Sequence, residues 1–396
     1  MLTSDVLMGS DSLSSQVDAE LQGYKQKMDS DLTIIKREIL KYFGEDTVVA
    51  IALVGGWGRN EKTVVAVQDY GARVLSDYDV LVLLSQNVPD TRCMSLRHRL
   101  SAEVGVSVEI GAYTCQSISR FPPSVFAYEL SQHKILWGRS DALQGCLPPV
   151  RAAEIPLLEG SRLLFNRGSA LLLSLQHFLQ NPDSMQARID VLLSLAKMAL
   201  ALGDAWLIAE GKYHWSGQKR FEAVQNSTMS EDLKEWYGKA WKVKQGLEDV
   251  NVNGDIGNFC IKFLHICSDH HLSFERKRMK EEGLSWCQYA LRELTIELRK
   301  PHNYIRLARM NLGLFGRPRG FGYPPLRSYV VSLERRLRGV LPLLLYARTN
   351  SAQVKQRLDL AYRLLNLPPE LRAVSIEQQI AAGSERFGYI WRTFFS

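Results

Sequence analysis

The sequence predicts an α/β head, built on a small mixed β-sheet, joined to an all-helical C-terminal region. Three observations carry that prediction. Up to Leu147-Pro148-Pro149, short apolar runs alternate with turn signals and with stretches of helical spacing. Beyond that break the apolar residues recur almost throughout at helical spacing. The chain has 396 residues, 46% hydrophobic and 23% charged, enough for two or three domains that each bury a core. The same composition excludes disorder, collagen-like repeats and a simple coiled coil.

Taken in order, Leu21, Tyr24, Met28, Leu32, Ile35, Ile39 and Tyr42 predict a helix over 17–43 that stops at Gly44. The polar leader before it has neither the basic nor the apolar segment of a signal peptide. Val48 to Val54 is an apolar run entering Gly55-Gly56, a strand followed by a tight turn. Tyr78 to Leu84 predicts a second strand, 91–103 a helix and Val106 to Tyr113 a third strand. A short helix at 124–131 and the extended piece Lys134 to Trp137 complete the α/β segment.

Helices follow over 153–180, 186–211, 230–249, 255–280, 283–299, 302–311, 325–347, 351–366 and 373–395, around a Gly-rich interruption at 312–323. The division this implies is 1–47 for leader and first helix, 48–150 for the α/β domain, 151–285 for a helical domain and 286–396 for a basic helical region. Val191 to Ala209 has the length to span a bilayer, but Lys197 and Asp204 would each cost a few kcal/mol there. It reads as a buried helix, so no membrane insertion is expected.

Net charge is +7, and its distribution is uneven. Residues 291–348 hold 12 Lys and Arg against 3 Asp and Glu, a surplus of 9, while the remainder of the chain balances at −2. A concentrated basic face attracts phosphate, nucleic acid or an acidic partner. The six cysteines are scattered without a CxxC pair, which suggests neither a disulfide framework nor a zinc ribbon and points to a reducing cytoplasm.

Three features fall on strand ends of the α/β domain: Gly55-Gly56-Trp57-Gly58-Arg59, then Ser76-Asp77-Tyr78-Asp79, then Glu109. Glycines let backbone N–H groups approach a phosphate closely, and a turn leaving a strand can form an anion-binding nest. Residues two apart on a strand project to one face, so Asp77 and Asp79 can both face a cation. Glu109 on another strand supplies a third carboxylate, with Glu103 as its nearby rival. Such oxygen-rich groups suit Mg²⁺, and two ions about 3.5–4 Å apart could stabilise attacking and leaving oxygens alike.

The series VGGWGRNE, SDYDVLVLL and VSVEIGAY resembles the signature of the polymerase-β-like nucleotidyltransferase superfamily over residues 48–137. The resemblance implies that Gly55 and Gly56 hold the triphosphate of an NTP such as ATP. It implies that Asp77 and Asp79 bind Mg²⁺, or Mn²⁺ in its place, with Glu109 assisting the metal or activating an acceptor hydroxyl. Gly56 stands where the family commonly has Ser, so backbone donors must serve. The 17 residues between Arg59 and Asp77 exceed the spacing of minimal members and read as a lid, a small hairpin or an acceptor-binding loop. Arg59 belongs either to the site or to an ion pair with Glu61 or Asp77.

The block Lys197, Asp204, Tyr213, Ser216 and Arg220 resembles the helical partner domain of such transferases, which implies that Lys197 touches the triphosphate with Tyr213 or Ser216 nearby. A structural ion pair of Lys197 with Asp204 is the alternative. Of the cluster Cys260, His265, Cys267, His270 and His271, the two cysteines and His270 or His271 share a helix face, and the group reads as packed interior rather than as a metal site. The loop with Phe315, Arg317, Arg319, Phe321 and Tyr323, followed by Arg335, Arg336 and Arg338, reads either as a nucleic-acid or polyanion surface or as a solvated basic helix. The expected activity is Mg²⁺-dependent transfer of a nucleoside monophosphate from NTP to a hydroxyl of a small molecule, nucleotide or protein. The alternative is a catalytically inactive nucleotide-binding or interaction protein of the same fold.

Overall fold

The computed structural model describes residues 15–61, 64–67, 71–74, 77–88, 91–297, 304–315, 332–349 and 352–395. The protein is mixed α/β, with its main sheet near the N-terminus and a helical C-terminal region. Helix α1 (Ser15–Phe43) ends just before Gly44, and strand β1 (Val48–Leu53) leads into the single helical turn α2 (Gly55–Gly58). Then come β2 (Val64–Val67), β3 (Gly71–Val74), β4 (Tyr78–Leu84), α3 (Thr91–Val104), β5 (Val108–Thr114), the short turns α4 (Cys115–Ile118) and α5 (Val125–Glu129), and β6 (Lys134–Gly138).

Among the described residues, four strands form the main sheet in the order β5-β4-β1-β6. β1 runs antiparallel to β4 and β6, whereas β4 and β5 are parallel, the arrangement that a crossover through α3 permits. Of the three forms open to the insertion before Asp77, the described part takes the hairpin: β2 and β3 pair antiparallel, Val64 opposite Val74.

Alternation along the strands divides the interior in two. Ile51, Leu53, Tyr78, Val80, Val82, Val108 and Ile110 pack beneath Leu32, Ile35 and Ile39 of α1 and Leu96 and Leu100 of α3. Ala50, Ala52, Val54, Leu81 and Leu83 face the other way, against Ile118, Leu130 and Leu143. Each such aliphatic side chain contributes about 1.5–3 kcal/mol when fully buried, so the register that aligns both sets is strongly specified. The first residues of β4 and β5 extend beyond this packing on the second face, and they carry the acidic groups.

The remaining helices are α6 (Leu157–Gln180), α7 (Met185–Ala209), α8 (Gly217–Gln225), α9 (Glu231–Lys244), α10 (Ile256–Met279), α11 (Trp286–Glu297), α12 (Tyr304–Phe315), α13 (Leu333–Leu345), α14 (Val354–Leu365) and α15 (Ile376–Phe395). The chain divides into two units, Met1–Glu159 with Trp206–Gly254, and Gly160–Ala205 with Asp255–Ser396. Residues 206–254, grouped by sequence with the helical domain 151–285, thus cluster with the sheet. In the second unit α13 packs against α11, α14 and α15 and is buried continuously from Arg336 to Leu345, as expected of a central helix. Among the described residues, α7 is the one helix long and apolar enough to cross a membrane, and 67% of its most apolar window is buried inside the protein.

One pair of cysteines departs from the sequence expectation. Cys115 and Cys146 are joined as a disulfide with Cα atoms 4.8 Å apart, because the chain returns from β6 to the start of α4. Cys93, Cys260, Cys267 and Cys287 are free.

Candidate active site

The three sequence motifs meet at one end of the sheet. β1 ends where β4 begins, Leu53 lying opposite Val80, and the Val54 amide donates to the Asp79 carbonyl at 2.8 Å. β5 begins alongside, in a register that places Asp79 opposite Glu109. Paired residues of parallel strands project to the same face, so the two carboxylates stand on neighbouring strands at the open end of that face. Asp77 precedes them and is exposed, while Asp79 is half-buried.

The glycine turn lies directly against this group. Gly55 has φ +64, and a Cβ built on it would stand 2.9 Å from Asp79 Cγ and closer still to Asp79 Oδ2. Glycine is therefore demanded twice, by backbone conformation and by the carboxylate pressed against it. The turn continues as α2, whose N-cap Val54 makes no side-chain capping bond. The first amides of a helical turn have no carbonyl partner within it, which is the local geometry the nest reading of Gly55 and Gly56 calls for.

Tyr78, between the two aspartates, points to the opposite face and is 3% exposed. Its ring stacks on Trp57 of the turn at 5.7 Å, and its hydroxyl donates to Asp31 of α1 at 3.1 Å. Burial and then the Asp31 carboxylate push the Tyr78 hydroxyl well above its ordinary pKa, which keeps it a donor. Tyr78 thereby fixes the turn, the aspartate strand and α1 to one another.

Glu109 has a partner of its own. Its side chain is 48% exposed, and Arg97 Nη1 of α3 approaches Oε2 at 3.4 Å while Arg97 Nε donates to the Ile110 carbonyl at 3.0 Å. Among the described residues, no three His, Cys, Asp or Glu side chains gather into a metal-holding group. Asp77 and Asp79 do present an all-oxygen pair beside the glycine turn, which fits Mg²⁺, an ion usually held by one or two carboxylates plus phosphate oxygens and water. Glu109 fits as a neighbour of that pair more readily than as a third ligand.

Arg59, Tyr213 and Arg220, read from sequence as nucleotide contacts or their neighbours, are drawn into a buried ionic network. Arg59 Nη1 meets Glu129 Oε2 at 2.5 Å, and its Nε and Nη2 donate to Glu61 at 3.2 Å each. Asn60, in the left-handed region at φ 55, reverses the chain between Arg59 and Glu61. Arg220 Nη2 and Lys244 Nζ reach Glu61 at 3.3 and 2.5 Å, and the Tyr213 hydroxyl donates to Glu129 Oε1 at 2.6 Å.

Burial alone would raise the Glu61 carboxyl, but Lys244, Arg59 and Arg220 together hold it down at about 2. Burial in turn pulls Lys244 below its ordinary value despite the Glu61 contact. The network anchors the chain just after the glycine turn to α5, α8 and α9. Glu61, Glu129 and Lys244 are the members that motif reading did not place in the site; only the adjacency of Glu61 to Arg59 signalled any of them.

Ser216 serves as the N-cap of α8, its hydroxyl accepting from the Lys219 amide at 3.4 Å. Lys197 and Asp204 are half-buried on α7, Lys197 in the second unit together with Asp204. The histidine and cysteine group is interior: Cys267 Sγ and His271 Nδ1 each lie 3.0 Å from the Tyr346 hydroxyl. Burial pushes the Cys260 and Cys267 thiols up to about 12, away from the thiolate a metal needs.

The basic C-terminal face is corrected in part. Arg336 is fully buried, stacked 3.3 Å from the Phe315 ring centroid and donating to the Leu364 carbonyl at 2.6 Å. Arg338, 3% exposed, donates to Glu293 at 3.0 Å and to Glu334 at 3.0 Å. Arg335 lies 3.9 Å from Glu293. Two of these three guanidinium groups are thus sealed inside the second unit, where they neutralise or cap interior acceptors and cannot meet a polyanion. Arg317, Arg319, Phe321 and Tyr323 lie outside the described residues.

A scan against protein-family models finds no match for the chain, and a search of curated proteins finds no significant relative.

Proposed function

We propose that the chain is a Mg²⁺-dependent nucleotidyltransferase with a polymerase-β-like head, transferring a nucleoside monophosphate from NTP to a hydroxyl acceptor with release of pyrophosphate. The observation that carries the reading is the convergence, on three adjacent strands, of the Gly55 turn, Asp79 and Glu109. In this reading the amides of Gly55 and Gly56 receive triphosphate oxygens, and the carboxylates of Asp77 and Asp79 hold the metal. Bound Mg²⁺ would offset triphosphate charge and stabilise the leaving oxygen. Glu109, whose Oε2 Arg97 approaches, accepts the acceptor hydroxyl's proton in this reading. Tyr78 and Trp57 hold turn and strand in position, while the Arg59–Glu61–Glu129 network holds the chain that leaves the turn.

A second reading, nucleotide binding without turnover, is favoured by the Arg97 contact that engages Glu109. Pyrophosphate release separates the two. Incubation with each NTP, Mg²⁺ and a panel of hydroxyl acceptors is expected to give pyrophosphate in proportion to modified acceptor. Mg²⁺-dependent NTP binding with no pyrophosphate from any pairing supports the second reading.

A further inference from the structure

On the sheet face that carries Asp79 and Glu109, the residues of β5 that follow Glu109 are Gly111 and Tyr113. Tyr113 does not stand upright from its own position. Its ring folds back along the strand over Gly111: a Cβ on Gly111 would meet Tyr113 Cε2 at 2.5 Å, its hydroxyl oxygen at 3.1 Å and Cζ at 3.2 Å. The ring therefore covers the strand position next to Glu109, and only a residue without a side chain at 111 leaves room for it. Phe121 packs edge-on against Tyr113 at 5.1 Å, and Phe126 leans on Phe121 at 6.0 Å while remaining 44% exposed. Tyr113 and Phe121 are half-buried, each resting on the core that contains Leu81, Leu83 and Ile118 and keeping part of its surface in solvent.

We propose that Tyr113, backed by Phe121, is the stacking platform for the nucleobase of the NTP. This rests on the nucleotidyltransferase reading and adds to it a base-binding residue. A flat π-face beside carboxylates suits a ring attached to a metal-bound triphosphate, because every nucleobase presents a π-face and stacking is tolerant of base identity. The Phe121 edge contact holds the Tyr113 ring in its folded-back position, so little rotamer freedom is lost when a base settles on it. The platform favours all four bases over a bare triphosphate and discriminates weakly among them.

The test uses the full chain with 2-aminopurine riboside triphosphate and MgCl₂, reading quenching of the base fluorescence, and with MgCl₂ and inorganic tripolyphosphate as a probe without a base. Wild type is expected to quench the fluorophore. Tyr113→Ala should weaken that binding about tenfold, the order expected for loss of one base stack. It should leave tripolyphosphate affinity within about twofold, since that probe lacks the stacked group. Tyr113→Phe, which keeps the π-face, should bind like wild type. Unchanged 2-aminopurine binding by Tyr113→Ala overturns the proposal, as does equal weakening of both probes, which marks a general disturbance of the site. Wild type that binds tripolyphosphate without quenching the fluorophore overturns the platform alone. Wild type that binds neither probe overturns the nucleotidyltransferase reading and the platform with it.

Discussion

The Asp79 carboxylate rests on the backbone of Gly55, so closely that a methyl group on Gly55 would lie 2.9 Å from Asp79 Cγ. Two motifs separated by the whole β2–β3 hairpin thus form one surface. Their contact requires a left-handed residue with no side chain at 55 and a short acidic side chain at 79.

Gly55→Ala is expected to destabilise the protein by more than about 1 kcal/mol, since alanine must adopt a positive φ and displace a carboxylate. Chemical denaturation measures the loss. The same variant should bind NTP and Mg²⁺ at least tenfold more weakly, whereas Gly105→Ala, also at positive φ but with nothing within 4 Å, should lose stability alone.

Glu61 gives stability a defined pH dependence. Its carboxyl is held at about 2 in the folded protein against an ordinary value of 4.5. A depressed pKa contributes stability that is fully present above 4.5 and lost as pH falls through 4.5 towards 2. The size is on the order of 3 kcal/mol. Glu61→Gln should flatten that part of the curve of unfolding free energy against pH, and an equally steep wild-type and variant curve would contradict the network.

Arg338 offers a contrast with surface charge. Arg338→Met leaves Glu293 buried with fewer partners and should cost about 3–5 kcal/mol. A cost below about 1 kcal/mol, the range of exposed ion pairs, would contradict the burial assigned to it.

Ser216→Ala should cost about 0.5–2 kcal/mol through loss of the α8 cap, with NTP affinity unchanged. A large drop in affinity at unaltered stability would return Ser216 to the nucleotide contacts expected from sequence.

What the sequence made legible was local. Val48 to Val54 followed by two glycines, and an aspartate pair entering an apolar run, each announce a strand end without help from the rest of the chain. The register that sets Asp79 opposite Glu109 is a property of two strands, and no single segment encodes it. Lys244 meets Glu61 across 183 residues and Arg338 meets Glu293 across 45, so counts of local charge could not tell a buried pair from a basic surface. That is why the residues 335–338 read as a basic helix face although Arg336 and Arg338 lie in the interior. Helix α8, short and polar, falls between the predicted helices 186–211 and 230–249, where the apolar spacing gives no sign of it.

The proposed function stands on Asp77 and Asp79, beside the Gly55 turn, holding the metal through which NTP binds. Calorimetric titration of NTP into wild type and into Asp77→Asn/Asp79→Asn, with and without Mg²⁺ and with circular dichroism to verify folding, tests it most directly. Wild type is expected to bind NTP in a Mg²⁺-dependent way, and the folded double variant not at all. Mg²⁺-dependent binding that survives unchanged in the folded double variant would contradict it.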